Sequence, residues 1–209
     1  MPHIRRHLAA VVVFAAFFVG VIGSFFALSA AGRTPLEIVR SGSERGLDII
    51  KGALAGNGPG LRDRRAEILR IVDEYFNFEE MARRSLGRPW KDQSPDNQRE
   101  FVQLFKQLLF NVYVSRVEAA ATPDTRIAYD QEKIEGDYAI VGTRVTSRNQ
   151  PDVRIEYRLR IENGQWQAYD VVIEGISLVN NYRQQFGSIL SNESFRDLLN
   201  RLRAKVAEQ

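Results

Sequence analysis

The side chains that most often carry catalysis or bind metals are nearly missing from this sequence. The chain of 209 residues has no cysteine, and its two histidines, His3 and His7, both lie close to the N-terminus. Serine–histidine–acid sites, cysteine–histidine sites, zinc sites with nitrogen or sulfur ligands and redox dithiols all need imidazole or thiol groups. Without the N-terminal segment none of them can form, so we predict no catalytic residue, no metal site and no cofactor.

Carboxyl and phenol groups remain as candidate acid–base catalysts. Two neighbouring pairs, Tyr169–Asp170 and Asp137–Tyr138, lie in or beside segments with strand-like patterns. Some cone-shaped α+β enzymes use such groups on steroid-like substrates. Because adjacent residues of a strand point to opposite faces, we expect that neither pair converges on one ligand. An enzyme of this kind is the alternative hypothesis, and a buried aspartate with a raised pKa in an apolar pocket would favour it.

The first 31 residues have the order of parts typical of a secretory signal peptide. Arg5 and Arg6 precede an apolar run over residues 8–28, and the small residues Ser29, Ala30 and Ala31 follow it. This order predicts export and cleavage near Ala31. The run is also long enough to cross a bilayer as an uncleaved anchor. In both cases residues 32–209 form a single domain outside the cytoplasm.

Charge and composition restrict the function of that domain. The predicted signal removes Arg5 and Arg6 but no acidic residue, which leaves 27 basic side chains against 26 acidic ones. Nucleic-acid binding needs a concentrated basic surface, so we predict no nucleic-acid partner. Without cysteine there is no disulfide, and burial of apolar side chains must hold the fold together.

Helical periodicity predicts six helices. Four of them precede the strands, over residues 34–54, 62–75, 78–86 and 95–121; Thr34 and Ser94 are N-caps, each followed by proline. The fourth has an apolar stripe that is wide for a coiled coil. Two more follow the strands, one from Ile176 to Phe186 and, after a loop at 187–192, one that contains Phe195 and Leu202.

Between the two groups of helices the apolar pattern has a period of two. It predicts strands at 125–134, 138–147, 153–161 and 165–173. In the third strand apolar residues alternate with charged ones, which is typical of an antiparallel sheet with one dry and one wet face. The order predicts an α+β fold: a curved antiparallel sheet of four strands or slightly more, with helices packed on one face in a cone similar to NTF2-like and cystatin-like folds.

Two segments carry a resemblance to a known family. The first, residues 76–90, has the sequence FNFEEMARRSLGRPW; the second, residues 169–183, is YDVVIEGISLVNNYR. Both are similar to segments of the MlaC family, also called toluene-tolerance or Ttg2-type substrate-binding proteins. The resemblance extends over about residues 34–205. Two features depart from the family pattern: Phe-Asn-Phe replaces Phe-Asp-Phe at residues 76–78, and the apolar N-terminal run is long.

The resemblance implies a periplasmic carrier that moves phospholipid between an outer-membrane lipoprotein complex and an inner-membrane ABC transporter complex. Acyl chains would lie between the sheet and the helices, with the head group in water. Candidate lipid-binding residues, assigned from periodicity and these segments, are Phe105, Leu108, Leu109, Tyr113, Val141, Ile155, Tyr157, Leu159, Val171, Ile173, Ile176, Val179, Tyr182, Arg183 and Phe186.

Each apolar candidate has a second interpretation as an ordinary core residue. If the helices fill the sheet completely, the chain is a scaffold subunit that binds no lipid. Arg183 has two interpretations as well: a phosphate contact at the mouth of the pocket, or a salt bridge or cap at the turn that contains Gly175.

Overall fold

The computed structural model describes residues 32–56, 60–148 and 150–208. The predicted signal segment lies outside the described residues. The helices are α1 (Pro35–Leu54), α2 (Leu61–Tyr75), α3 (Phe78–Leu86), α4 (Pro95–Ala120), α5 (Leu178–Leu190) and α6 (Phe195–Ala207), with a short 3₁₀ helix at Arg88–Asp92. Among the described residues no helix has the length and hydropathy needed to cross a membrane.

The helix starts follow the sequence signals. The Thr34 hydroxyl accepts a hydrogen bond from the Glu37 amide, while the Glu37 carboxylate accepts one from the Thr34 amide, so α1 opens with a capping box. Ser94 is the N-cap of α4, where its side chain accepts a backbone hydrogen bond, and it is followed by Pro95. These local contacts satisfy backbone donors that the helix itself leaves unpaired.

Five strands form one antiparallel sheet in sequence order. They are β1 (Arg126–Glu135), β2 (Tyr138–Thr146), β3 (Val153–Glu162), β4 (Gln165–Ile173) and β5 (Ile176–Ser177). The predicted α+β class and the antiparallel sheet are therefore confirmed.

Strand β5 replaces the predicted start of a helix at Ile176. Glu174 and Gly175 both adopt positive φ, 48° and 80°, and close a two-residue turn that pairs Ile176 with Ile173. Helix α5 then starts at Leu178, with Ser177 as its N-cap. The predicted loop at 187–192 is also wrong in its first part, since α5 continues to Leu190.

Apolar side chains are buried in two main clusters. The sheet cluster joins α1 and α2 to the inner face of the sheet, and its buried members are Ile38, Val39, Ile71, Tyr75, Ala139, Val141, Leu159 and Ala168. The helix cluster joins α3, α4, α5 and α6, and its buried members are Met81, Ala82, Leu86, Phe101, Phe105, Leu108, Leu109, Val179, Tyr182, Phe186, Leu198, Leu199 and Leu202. Helices α1 and α2 therefore cover the inner face of the sheet, while α3 and α5 contact β4.

Candidate apolar binding site

The inner face of the sheet carries apolar rows that run across the strands. Antiparallel pairing aligns one row over all five strands, and we call it the long row: Tyr129, Thr143, Ile155, Ile173 and Ile176. Pairing also aligns an outer row beside it, formed by Ile127, Val145 and Val153. On the other side of the long row lies an inner row of Val141, Tyr157 and Val171.

Helices α1 and α2 cover these rows unequally. Val141 in the inner row is fully buried, and Val171 is buried as well. In the long row Thr143 is buried, but Ile155 and Ile173 are only half-buried and Ile176 is 61% exposed. In the outer row Ile127 and Val145 are half-buried and Val153 is 36% exposed. The apolar surface of the sheet therefore continues beyond its cover. An exposed apolar surface of this kind is typical of interaction and ligand sites.

Tyr129 marks the edge at which α1 leaves the sheet. Its hydroxyl is 2.8 Å from Ser43 Oγ, and the Arg40 guanidinium lies 4.7 Å from the centre of its ring. Near the start of the helix, the Leu36 amide donates to Glu132 Oε1 at 2.8 Å. These contacts fix α1 along β1, at one end of the long row.

Tyr157 lies where the covered and uncovered parts meet. Burial raises its pKa to about 12, with a smaller contribution from neighbouring Tyr129. The side chain is nevertheless only half-buried by accessible surface. Tyr157 also packs against the sheet cluster, so it lies between the covered and the open parts of the apolar rows.

Helix α4 packs mainly on α3 and α6 rather than on the strands. Val114, near its C-terminal end, is buried against Ile50 and Ile68 of α1 and α2, and half-buried Phe110 joins this contact. Val117 is 50% exposed.

Tyr113 of α4 lies beside Tyr182 of α5. Both rings pack in or against the helix cluster. Burial raises the pKa of Tyr113, and it raises the pKa of Tyr182 to about 12. Both hydroxyls therefore stay protonated near neutral pH.

The predicted lipid-binding residues are spread over both clusters and the open rows. Phe105, Leu108, Leu109, Val179, Tyr182 and Phe186 are buried in the helix cluster, with Tyr113 packed against it. Val141 and Leu159 are buried in the sheet cluster. Ile155, Tyr157, Val171, Ile173 and Ile176 lie on the long and inner rows. Their contact with lipid stays a prediction.

Sequence reasoning missed several members of the open surface. These are Tyr129, Val145 and Val153. Alternation marked the strand residues as inward-facing, but it does not tell which inward residues a helix leaves uncovered.

Arg183 lies against Gly87, which ends α3. A side chain at position 87 would bring Cβ to 3.3 Å from the Arg183 guanidinium, and φ there is +71°. Both constraints favour glycine. A phosphate contact by Arg183 stays a prediction.

The two residues of the Tyr169–Asp170 pair share one face of the sheet, so the prediction from alternation is wrong at this point. Asp170 pairs with Arg158 while Ala168 pairs with Leu159, so Tyr169 is the extra residue of a β-bulge. Asp170 accepts hydrogen bonds from Ser177 Oγ at 2.6 Å and the Val179 amide at 3.0 Å. This carboxylate anchors the start of α5, on the face opposite the apolar rows.

Residues 76–90, the first of the two segments that resemble the MlaC family, form a second buried polar contact. Glu80 of α3 accepts hydrogen bonds from Arg83 and Arg84 at 2.6–2.7 Å, and Arg160 of β3 lies 3.7 Å away. Burial opposes ionisation of Glu80, but the arginine hydrogen bonds outweigh it and hold the pKa below its usual value. The segment therefore ties α3 to the sheet.

A recess of about 410 Å³ lies beside this contact. It is bordered mainly by polar side chains, among them Asn77, Glu79, Glu162 and Gln167. Polar walls do not suit acyl chains, so the open rows are the better candidate for an apolar ligand.

These features define a class: an α+β protein whose antiparallel sheet is partly covered by helices and keeps an open apolar surface. The family described as MlaC protein matches residues 42–204. The chain therefore belongs to the MlaC family, and the resemblance seen in the sequence is confirmed.

Two known proteins extend the comparison. The chain is 22% identical over 139 residues to the intermembrane phospholipid transport system binding protein MlaC of Haemophilus influenzae; the match covers 64% of this chain and 64% of that protein. Its fold is similar to that of a phospholipid-binding protein from Ralstonia solanacearum, solved in complex with a phospholipid. The TM-score is 0.69 at 23% identity, over 82% of this chain and 96% of that one.

Proposed function

We propose that this protein binds phospholipid and carries it through the periplasm, with the acyl chains against the long and outer rows. The observation that carries the proposal is the exposed apolar surface of the long and outer rows, at Ile176 and Val153. Membership of the MlaC family supports it, as do the phospholipid transport system of the Haemophilus relative and the phospholipid bound to the Ralstonia protein.

The energetics of an acyl chain set what such a carrier must provide. Transfer of an acyl chain of about 16 methylenes from water to an apolar environment is favourable by on the order of 13 kcal/mol, at ~0.8 kcal/mol per CH₂. A carrier therefore needs a continuous apolar surface, not a few contacts. The long row, which crosses all five strands, and the outer row beside it are the candidate for such a surface.

The proposed route runs between two membranes. The predicted signal segment would export the chain, or retain it at the inner membrane as an anchor. An inner-membrane ABC transporter complex and an outer-membrane lipoprotein complex are the proposed partners, by analogy with the family. In this role the protein maintains outer-membrane lipid asymmetry and so contributes to toluene tolerance.

We propose a non-catalytic role for the polar residues. Asp170 is held by two donors at the start of α5, and Glu80 is held by arginines. Neither carboxylate lies on the apolar rows. The alternative of a steroid-type enzyme lacks a carboxyl group among the residues assigned here to the open surface.

Lipid analysis of the purified protein tests the proposal. Protein expressed in a Gram-negative host with its signal segment is extracted under denaturing conditions, and the extract is analysed by mass spectrometry. We expect co-purified diacyl phospholipid, and uptake of a fluorescent acyl probe after delipidation. Protein that carries no lipid and takes up no probe would refute the carrier.

A further inference from the structure

The ends of three helices meet in a small buried cluster. Ile50 of α1, Ile68 of α2 and Val114 of α4 pack together there, and all three belong to helices rather than to the sheet. Arg65 of α2 also pairs with Glu118 of α4 at 3.1 Å. The C-terminal ends of α1 and α4 therefore lie beside the N-terminal half of α2.

On each helix the apolar stripe continues past this cluster onto exposed surface. Leu54 lies four residues after the buried isoleucine of α1, Leu61 seven residues before that of α2, and Val117 three residues after the buried valine of α4. Such spacings keep a residue on the same helical face, about 5–10 Å nearer to the end where the helices meet. The three side chains are 47%, 54% and 50% exposed. We call them the apolar tip, since exposed apolar side chains grouped in this way are typical of interaction sites.

The turns that carry the apolar tip have an excess of positive charge. Residues 51–54, 61–65 and 114–120 carry a net charge of +3, whereas residues 32–209 as a whole carry only +1, so the rest of the domain is slightly negative. In the part of the chain that the structure describes, Lys51 and Arg62 take part in no ion pair, so their charges are available to a partner. The charged side chains of the three segments are Lys51, Arg62, Arg64, Arg65 and Arg116, with Asp63 and Glu118.

Apolar side chains beside basic ones suit an anionic lipid surface. The apolar groups enter the boundary between head groups and acyl chains, while lysine and arginine are attracted to the phosphates. A stable protein–protein interface takes about 20–30 residues on each side, many more than the tip offers. A second copy of the chain, docked tip to tip, would also bring like charges together.

We propose that the apolar tip docks on an anionic phospholipid bilayer, with Leu54, Leu61 and Val117 at the interface and Lys51 and Arg62 against the phosphates. This docking goes beyond the proposed function and does not depend on it, because the tip lies on helices and shares no residue with the open rows of the sheet. For a lipid carrier, it would hold the protein at the surface of a membrane.

Flotation with vesicles tests the docking. The protein used is residues 32–209, which contain all the helices, strands and buried clusters described above, because the apolar run at 8–28 would itself bind vesicles. Vesicles of phosphatidylcholine alone are compared with vesicles of phosphatidylcholine and phosphatidylglycerol. We expect at least about fivefold tighter binding to the anionic vesicles, and rising salt should weaken it.

Two variants separate the apolar and the charged contributions. Leu54→Ser/Leu61→Ser keeps the charge, and it should bind anionic vesicles at least about tenfold more weakly. Arg62→Gln should bind them about fivefold more weakly. The controls are Ile134→Ser at the far end of β1 and Arg196→Gln on α6; both positions are exposed, and both variants should bind as wild type does. Substitutions at exposed positions change stability little, so all four variants should fold.

The outcomes separate the docking from the proposed function. Wild type that binds neither kind of vesicle, or both equally, would overturn the docking, as would unchanged binding in Leu54→Ser/Leu61→Ser. Dimerisation of wild type without vesicle binding, lost in the double variant, would assign the tip to a second copy instead. The tip does not hold acyl chains, so the double variant expressed with its signal segment should retain the lipid load of wild type. Vesicle binding without bound lipid would refute only the carrier, and bound lipid without vesicle binding would refute only the docking.

Discussion

The helix cluster and the open rows of the sheet have similar apolar composition but opposite packing. In the helix cluster Phe101 is fully buried and contacts the rings of Trp90, Phe105, Phe186 and Phe195 at 5.4–6.5 Å. On the long row Ile176 remains mostly exposed, and Ile155 and Ile173 are half-buried. Close packing on one side and uncovered apolar surface on the other indicate a division between stability and binding.

That division has a physical basis in α4. The helix has 26 residues, longer than any other helix here, and its apolar stripe meets different partners along its length. Phe101 and Phe105 pack into the helix cluster, whereas Val114 packs on α1 and α2. Because α4 packs on helices rather than on the strands, it does not add to the cover of the long row, which stays partly exposed.

The largest expected effect is complete loss of bound lipid in Ile173→Arg. The change places a charge within the long row, where burial beneath an acyl chain without a partner is costly. Mass spectrometry of lipid extracted from the purified variant measures the result. Leu61→Arg is the matched control, because Leu61 is 54% exposed on α2. An unchanged lipid load in Ile173→Arg would show that the long row does not bind the chains.

Phe101→Ala tests the helix cluster. It removes a ring that contacts four others, and we expect a loss of about 3–5 kcal/mol in the free energy of unfolding. Urea denaturation followed by tryptophan fluorescence measures it. The fraction of Phe101→Ala that remains folded should still bind the acyl probe with near wild-type affinity. A large fall in probe affinity with little change in stability would mean that the two regions are not divided as described.

Glu80→Gln is expected to have an intermediate effect on stability and none on binding. It removes a buried acceptor from Arg83 and Arg84, and we expect a loss of about 1–2 kcal/mol, because the arginines remain partly exposed. The folded pKa of Glu80 is lowered. Its contribution is therefore fully present above the unfolded value of about 4.3 and is lost as the pH falls through the folded pKa.

Thermal melts at neutral and acid pH distinguish this contribution. Wild type should lose more stability than Glu80→Gln between neutral pH and pH values below about 4. The control is Glu135→Gln, whose partner Lys133 is solvent-exposed, and it should behave as wild type does. Equal acid sensitivity of wild type and Glu80→Gln would show that Glu80 does not stabilise the fold through its charge.

Sequence reasoning recovered most elements because their signals are local. The alternation of β3 and the Ser94–Pro95 start of α4 each depend on neighbouring residues, and both are present in the structure. Strand β5 was missed because its turn places Glu174 at φ 48°, a conformation that residues other than glycine seldom adopt. The bulge at Tyr169 was missed because an inserted residue leaves the apolar pattern of the strand nearly intact.

The candidate site was harder to predict, for a different reason. Periodicity predicted that the side chains of Leu109 and Ile173 both face inward. It does not specify the partner: Leu109 packs among helices and Ile173 lies on the edge of an uncovered surface. Which apolar residues stay exposed depends on where α1 ends on the sheet and how α4 is held, and these are tertiary contacts between distant segments.

The smallest expected effect on stability, and the sharpest test of the division, is Ile176→Ser. Because Ile176 is 61% exposed, its substitution should change the free energy of unfolding by less than about 0.5 kcal/mol. If acyl chains cover it, probe affinity should fall about threefold to tenfold. Ile134→Ser is the control, since Ile134 is similarly exposed on the opposite edge strand, away from the long row. Equal affinities of the two variants would mean that Ile176 is an exposed edge residue without a role in binding, and the proposed surface would then end at Ile173.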